Sequence, residues 1–231
     1  MSNGFLSQGN IDCLLKDGND NKALKKDEFL NDEEKDLLGE IGNISMGSSA
    51  TALSALINQK VDITTPIVSV TTFNELISTF EDPSIGLEVN YTSGITGGNV
   101  FVLKVFDAAM IANLMMGGEG NVDKTKIDLD DMEKSAVTEA MNQMIGIAAT
   151  SMATMLSKPI DISTPIFKNE LSQHTDINKY FEKNGIVCIS FRLTIGEYID
   201  SNILQIFTKK TAKNIVSIML GESVDEVVEE K

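Results

Sequence analysis

Two segments of the chain each carry a glutamate and an asparagine three residues apart, a pairing that could handle a water molecule. Glu40 and Asn43 form the first pair, and Glu139 and Asn142 form the second. A carboxylate can take a proton from water or bind a cationic side chain, whereas a carboxamide can hold and aim water but exchanges no proton at neutral pH. Residues at i and i+3 are neighbours on a helix, so each pair can contact one small object between its side chains.

Both pairs belong to a long internal repeat. Residues 40–67 read EIGNISMGSSATALSALINQKVDITTPI, and residues 139–166 read EAMNQMIGIAATSMATMLSKPIDISTPI. At one offset of 99 positions the repeat matches both glutamates, both asparagines, Gly47 with Gly146, and a terminal Thr-Pro-Ile. Solenoid periods are about 20–50 residues, so this repeat indicates a duplicated half-domain. A duplicated fold needs only its apolar and turn positions, and the matched Glu-x-x-Asn therefore indicates a functional constraint.

The apolar residues predict which side of each helix faces the core. At 100° per residue, both Glu-x-x-Asn pairs lie outside the predicted buried arc of their helix. The residues of the predicted buried arcs are Leu37, Leu38, Ile41, Ile44 and Leu56 in the first helix, and Ala136, Ala140, Met144 and Ile147 in the second. Glycine within a helix costs about 1 kcal/mol relative to alanine. The glycines at 39, 42 and 47 therefore indicate close approach by another group. The alternative is a solvated glutamate, a chance asparagine and glycines that serve helix packing.

Each half of the chain predicts the same order of helix, three strands and helix. In the first half a helix from Asn31 to about Asn58 precedes strands near 61–70, 85–94 and 99–106 and a closing helix over 107–118. In the second half a helix beginning within 127–144 precedes strands near 159–167, 186–195 and 202–208 and a closing helix over 209–222. Short connections favour antiparallel pairing. We therefore predict an α+β domain in which helices cover an antiparallel sheet and a pseudo-twofold axis relates the halves.

The predicted domain spans residues 30–222, with one half over 30–121 and the other over 128–222. Before it lie a candidate docking peptide over 1–16 and a charged, flexible linker over 17–29, and after it an acidic tail over 223–231. In the peptide Ser7 can cap a short helix, and the candidate partner-binding residues are Leu6, Ser7, Ile11, Leu14 and Leu15. The alternative is an arm that packs back on its own domain.

Composition excludes several classes of function. The net charge of −15 over 231 residues argues against a nucleic-acid or anionic-membrane surface. We find neither a signal peptide nor a run of 18 apolar residues, and expect a cytoplasmic protein with no membrane insertion. The single histidine, His174, lies in a polar stretch typical of a surface loop, so histidine-based catalysis or zinc binding is not expected. Cys188 lies in an apolar strand and is interpreted as a core residue.

The two repeated motifs closely resemble the paired motifs of the CheC, CheX and FliY phosphatases of bacterial chemotaxis. Their sequences are most similar to those of the FliY members, which are flagellar motor switch phosphatases. The N-terminal FLSQGNIDCLL resembles the response-regulator-binding peptide that opens FliY and its partner FliM. The resemblance covers nearly the whole chain. It implies a CheC-like fold and two active sites, Glu40 with Asn43 and Glu139 with Asn142, which remove phosphate from the aspartyl phosphate of CheY.

The resemblance also implies the roles of the side chains and the partners. Each asparagine would orient the attacking water, and each glutamate would act as a base or, more in keeping with the family, anchor a lysine of the partner. The chain itself would bind no cofactor or metal, because Mg²⁺ belongs to the response regulator. Expected partners are phosphorylated CheY and the switch proteins FliM, FliG and FliN-like proteins, at the cytoplasmic face of the flagellar basal body.

Two questions stay open at the level of sequence. A non-catalytic scaffold that binds CheY in the switch complex would suit the same acidic surface and docking peptide, whereas an unrelated small-molecule enzyme is disfavoured because no G-x-x-x-x-G-K loop occurs. FliY members usually continue into a C-terminal FliN-like domain, and the resemblance ends at Lys231 without one. The alternatives are a shortened FliY chain and a stand-alone CheC-like protein.

Overall fold

Two long helices with matching ends dominate the structure, a computed structural model that describes residues 29–169 and 185–222. Helix α1 spans Asp32–Ile57 and helix α4 spans Asp131–Leu156. Each begins at a capping box. The side chain of Asn31 or Asp130 accepts a hydrogen bond from the backbone N–H three residues on, and the side chain of Glu34 or Glu133 accepts one from the backbone N–H of the capping residue. Each ends at a left-handed residue, Asn58 or Ser157. Local capping therefore fixes both helices in the same way.

The remaining elements follow in two similar series. After α1 come β1 (Val61–Thr71), α2 (Phe73–Ser78), β2 (Ser84–Ser93), β3 (Gly98–Lys104) and α3 (Val105–Met115). After α4 come β4 (Asp161–Ile162), β5 (Ile166–Lys168), β6 (Ile186–Ile195), β7 (Ile199–Thr208) and α5 (Lys209–Met219). The α+β class and the predicted duplication of helix, strands and closing helix are confirmed.

The halves exchange their first strands. The sheet has the order β1-β6-β7-β3-β2-β4, with β5 also paired to β2, and every pairing is antiparallel. Strand β1 of the first half therefore pairs with β6 of the second, and β4 and β5 of the second half pair with β2 of the first. The pseudo-twofold axis passes between β3 and β7, and neither half has a complete sheet of its own.

The sheet buries side chains on both faces. On one face Phe101, Val187, Phe191 and Phe207 join the main core with residues of the long and closing helices. On the other face Val102, Cys188, Leu204 and Ile206 pack with Phe73 and Leu76 of α2. Because successive strand residues point to opposite faces, the central strands read as nearly continuous apolar runs. The long helices are thereby held on a platform that is buried on both sides.

Two local features differ from the sequence prediction. Helix α2 was not predicted, although Thr72 and Glu75 form a capping box at its start. The strand predicted near 159–167 is split into β4 and β5, whereas its counterpart β1 runs unbroken for 11 residues. The docking-peptide residues Leu6, Ser7, Ile11, Leu14 and Leu15, together with His174 and the tail over 223–231, lie outside the described residues. Within the described ranges, none of the helices has the length and apolar character required to cross a bilayer.

Asp107 is the one strongly shifted carboxyl group of the core among the described residues. It lies in the first turn of α3 and is 3% exposed. Burial raises the pKa of Asp107 to about 6, and the charge of nearby Lys104 opposes this only in part. Between pH 4 and 6 the folded chain therefore holds a proton that the unfolded chain has released. The free energy of unfolding accordingly falls as pH rises through this window, by at most about 3 kcal/mol.

Replacing Asp107 by asparagine should remove this titration. We expect Asp107→Asn to gain stability relative to the parent chain as pH rises from 4 to 7.5, by about 1–3 kcal/mol, because only the parent buries a carboxylate at the higher pH. Urea unfolding of both chains at the two pH values measures the gain. An equal difference in unfolding free energy at pH 4 and pH 7.5 would contradict the assignment.

Candidate functional site

The long helices turn the two Glu-x-x-Asn pairs to the same kind of surface. We call the face of α1 with Glu40, Asn43 and Gly47 site one, and the face of α4 with Glu139, Asn142 and Gly146 site two. The buried residues lie on the opposite side of each helix; they are Leu38, Ile41, Gly42, Ser45, Met46, Ser49, Ala50, Leu53 and Ile57 in α1, and Val137, Ala140, Met141, Met144, Ile145, Ala148, Ala149, Met152 and Leu156 in α4. Packing of one helix face therefore determines what the other presents to solvent.

Both pairs are open to an incoming molecule. Glu40, Asn43 and Glu139 are exposed, and Asn142 is half-buried. Neighbouring Cβ atoms three residues apart on a helix lie about 5–6 Å from each other, close enough for the two side chains to contact one phosphoryl group or water. Each site is thus a small polar surface on a rigid helix, suited to a group that another molecule brings to it.

Glycines serve two different purposes in these helices. A Cβ on Gly47 or Gly146 would meet no atom within 4 Å, so both leave open space beside their Glu-x-x-Asn pair. A Cβ on Gly42 would lie 3.0 Å from Cζ of Phe191, so this glycine permits close packing of α1 on the sheet. The predicted close approach is therefore internal at Gly42, and only Gly47 and Gly146 open the surface.

The predicted buried arc was wrong at two isoleucines. Ile44 is 43% exposed and Ile147 is 41% exposed. The true buried face is rotated away from them because α1 and α4 pack against each other as well as against the sheet. Small residues such as Gly42, Ser45 and Ser49 occupy the face so gained. Apolar patterning alone does not count such residues, and it therefore misplaced the centre of the buried face.

The two sites differ in what surrounds the glutamate. At site two Nε2 of Gln143 donates a hydrogen bond of 2.9 Å to Oε1 of Glu139. The corresponding residue of site one is Ile44, whose side chain has no polar atom to offer to Glu40. One turn before the glutamate, site one carries exposed Asp36 where site two carries exposed Ser135. Site one therefore has an additional acidic residue, Asp36, and an apolar one, Ile44, where site two has two uncharged polar residues, Ser135 and Gln143.

A shallow groove adjoins site one at its N-terminal side. It has a volume of about 420 Å³ and lies between the first turns of α1 and strand β1; its lining residues are Asp32, Lys35, Asp36, Gly39, Pro66 and Val68. Nζ of Lys35 lies 3.5 Å from Oδ1 of Asp32, so this ion pair neutralises part of the negative charge of the groove. Asp36 and Glu40 then continue as an acidic strip that favours a cationic side chain of a partner.

The structure also bears on two other kinds of site, a cysteine nucleophile and a metal site. Cys188 is 2% exposed, and burial raises the pKa of its thiol to about 12, so the predicted core role is confirmed and the thiolate that a nucleophile requires is disfavoured. Across residues 29–169 and 185–222, no group of three or more His, Cys, Asp or Glu side chains is arranged to hold a metal ion.

Comparison with known proteins identifies the family. Residues 33–70 and 132–168 match the CheC-like family model, and both Glu-x-x-Asn pairs fall within these ranges. The crystal structure of FliY from Thermotoga maritima is 35% identical to this chain, with a TM-score of 0.73 over 84% of this chain and 99% of that chain. The chain belongs to the CheC-like family. The predicted resemblance is thereby confirmed, and with it the CheC-like fold.

Other relatives of this CheC-like chain carry functional names. The flagellar motor switch phosphatase FliY of Bacillus subtilis is 45% identical over 231 residues, which are 98% of this chain and 61% of that protein. The CheY-P phosphatase CheC of the same organism is 28% identical over 139 residues, which are 59% of this chain and 66% of that protein. The chain thus spans about two thirds or less of either relative. The FliM middle domain from H. pylori is 13% identical, with a TM-score of 0.63 over 82% of this chain and all of that chain, which shows a shared fold.

The glycines of α1 provide a test of the packing that orients site one. Gly47→Ala should raise the free energy of unfolding by about 0.5–1 kcal/mol, because alanine favours the helix and its methyl group meets no neighbour. Gly42→Ala in this CheC-like chain should lower it, because the methyl group would press on the Phe191 ring. Urea unfolding of the two variants measures both effects. Changes of the same sign would show that α1 is turned differently about its axis.

Proposed function

We propose that this chain is a phosphatase that hydrolyses the aspartyl phosphate of the response regulator CheY at the flagellar motor switch. The proposal rests on the two Glu-x-x-Asn pairs, in which Asn142 is half-buried and the other three side chains are exposed, each pair lying beside a glycine that leaves room for a macromolecule. The names of the two Bacillus subtilis relatives, a motor switch phosphatase and a CheY-P phosphatase, support the choice of substrate.

The asparagine is the group we assign to the chemistry. An acyl phosphate is already activated, so its hydrolysis needs a water held in line with phosphorus while the P–O bond to the aspartyl carbonyl group breaks. The products are inorganic phosphate and the free aspartate. The carboxamides of Asn43 and Asn142 would accept a hydrogen bond from the water or donate one to it, and so orient it for attack.

The glutamate is the group we assign to binding. A carboxylate next to a phosphoryl group repels it, whereas a lysine of the regulator can lie between the two charges. The acidic strip formed by Asp36 and Glu40 at site one favours such a cation. Glu40 and Glu139 would therefore anchor the regulator, and Mg²⁺ would be held by the regulator's own acidic residues.

Location and further partners follow from the same proposal. A motor switch phosphatase acts where CheY binds the rotor, at the cytoplasmic face of the flagellar basal body. FliM, FliG and a FliN-like protein are the proposed neighbours there. Residues 1–16, which lie outside the described residues, would recruit the regulator and raise its concentration near both sites.

Removal of both carboxamides tests the catalytic proposal. In the double variant Asn43→Ala, Asn142→Ala we expect loss of CheY-phosphate hydrolysis above the spontaneous rate, because neither site can orient water. Each single variant should retain part of the activity. Phosphate release from phosphorylated CheY measures turnover, and binding to a beryllofluoride-loaded regulator measures affinity, which should remain in the double variant.

Asn74→Ala is the matched control, because Asn74 is an exposed asparagine on helix α2, away from both sites. It should leave turnover unchanged. Full activity in the double variant would contradict the assigned mechanism. Binding of the regulator without any acceleration of phosphate loss by the unmodified chain would instead establish the scaffold alternative.

Deletion of residues 1–16 tests the recruitment role. We expect KM for phosphorylated CheY to rise several-fold and kcat to change little, since the segment is assigned to local concentration rather than chemistry. Initial rates over a range of phosphorylated CheY concentrations separate the two constants. A fall in kcat at unchanged KM would contradict this role.

A further inference from the structure

The two sites occupy equivalent places in the fold but offer different contacts. Ile44 of site one corresponds to Gln143 of site two, and Asp36 corresponds to Ser135, at the offset of the repeat. All four residues are exposed on the same helix face as the Glu-x-x-Asn pairs. A regulator that binds either site through one surface cannot form the same contacts at both.

Ile44 adds an apolar contact at the level of the site-one asparagine. It directly follows Asn43, lies one turn after Glu40, and is 43% exposed. Burial of this surface by the regulator would favour binding. At site two the exposed isoleucine is Ile147, which lies one turn further from its glutamate, about 6 Å along the helix axis. The same regulator surface therefore meets an isoleucine at site one and an amide at site two.

Charge favours site one in the same way. A lysine of the regulator that reaches Glu40 also meets Asp36, one turn before it on the same face. At site two the corresponding lysine meets Glu139 alone, because Ser135 is uncharged. Two carboxylates attract a cation more strongly than one, and exposure limits this to a modest difference in affinity.

Gln143 further weakens the hold of site two on a cation. Its amide donates a hydrogen bond of 2.9 Å to Oε1 of Glu139, so a regulator lysine must share the carboxylate or displace the amide. Gln143 is thus a positioning residue that acts through Glu139. Site one has no such competitor at this position, because its residue is Ile44.

We propose that site one binds the phosphorylated regulator more tightly than site two, through the apolar contact of Ile44 and the second carboxylate of Asp36, whereas Gln143 restrains Glu139 at site two. The inference rests on the proposed phosphatase function. It makes the duplicated sites a high-affinity and a low-affinity pair, which would extend the range of regulator concentrations over which the chain responds.

Single-site chains with exchanged residues test the proposal. Asn142→Ala leaves site one alone, and Asn43→Ala leaves site two alone; KM for phosphorylated CheY should be roughly 3- to 10-fold lower in the first. Adding Ile44→Gln to the site-one chain should raise KM by about this factor at nearly constant kcat. Adding Gln143→Ile to the site-two chain should lower KM, because it frees Glu139 and restores the apolar contact.

Two further variants separate binding from structure. Ile44→Leu in the site-one chain should preserve the low KM, because it keeps an apolar side chain. Ile127→Gln removes an equally apolar residue that is 71% exposed in the loop before α4, and should leave both constants unchanged. Melting temperatures of the Ile44, Gln143 and Ile127 variants should agree with those of their parent chains, because these three positions are exposed.

The outcomes distinguish this inference from the function on which it rests. No acceleration of phosphate loss by the unmodified chain would overturn both. Turnover by the unmodified chain together with equal KM in the two single-site chains would overturn the affinity difference alone. A site-one chain without turnover, or unchanged KM in Ile44→Gln and Gln143→Ile, would also overturn it, because the proposal requires site one to work independently and these two residues to set its affinity.

Discussion

Helices α1 and α4 pack against each other and against one sheet, and this packing determines which side of each helix faces solvent. Each helix is 26 residues long, and its buried residues occupy the side opposite the Glu-x-x-Asn pair. A helix held on two sides has little freedom to rotate about its axis, because its core side chains interlock with their neighbours. The rigidity of the two sites is therefore a consequence of core packing.

The exchange of first strands makes the two sites parts of one cooperative unit. Strand β1 follows α1 in the chain but pairs with β6, and β4 and β5 follow α4 but pair with β2. Unfolding of either half would therefore remove an edge from the sheet of the other. Duplication has thus produced two similar sites without producing two independent domains, and sequence change at one site can proceed while the shared platform is retained.

The sequence predicted the elements better than their arrangement. The internal repeat and the turn signals located both long helices, since Asn31 and Asn58 do mark the ends of α1. The exchange of strands was not predictable, because neighbouring strands usually pair with each other and no local signal opposes this rule. Ile44 was misplaced because the buried face of α1 includes small residues such as Gly42, Ser45 and Ser49, which apolar patterning does not count. The repeat already shows that Ile44 of site one corresponds to Gln143 of site two. Only the structure shows that Gln143 donates a hydrogen bond to Glu139.

The proposed function requires the phosphorylated regulator to bind the solvent faces of α1 and α4. Methyl NMR of the isoleucines during titration with beryllofluoride-loaded CheY tests this most directly, because Ile44 and Ile147 are exposed at the sites while Ile67 and Ile166 are exposed on strands β1 and β5. The signals of Ile44 and Ile147 should shift, and those of Ile67 and Ile166 should stay in place. Shifts confined to Ile67 and Ile166 would contradict it.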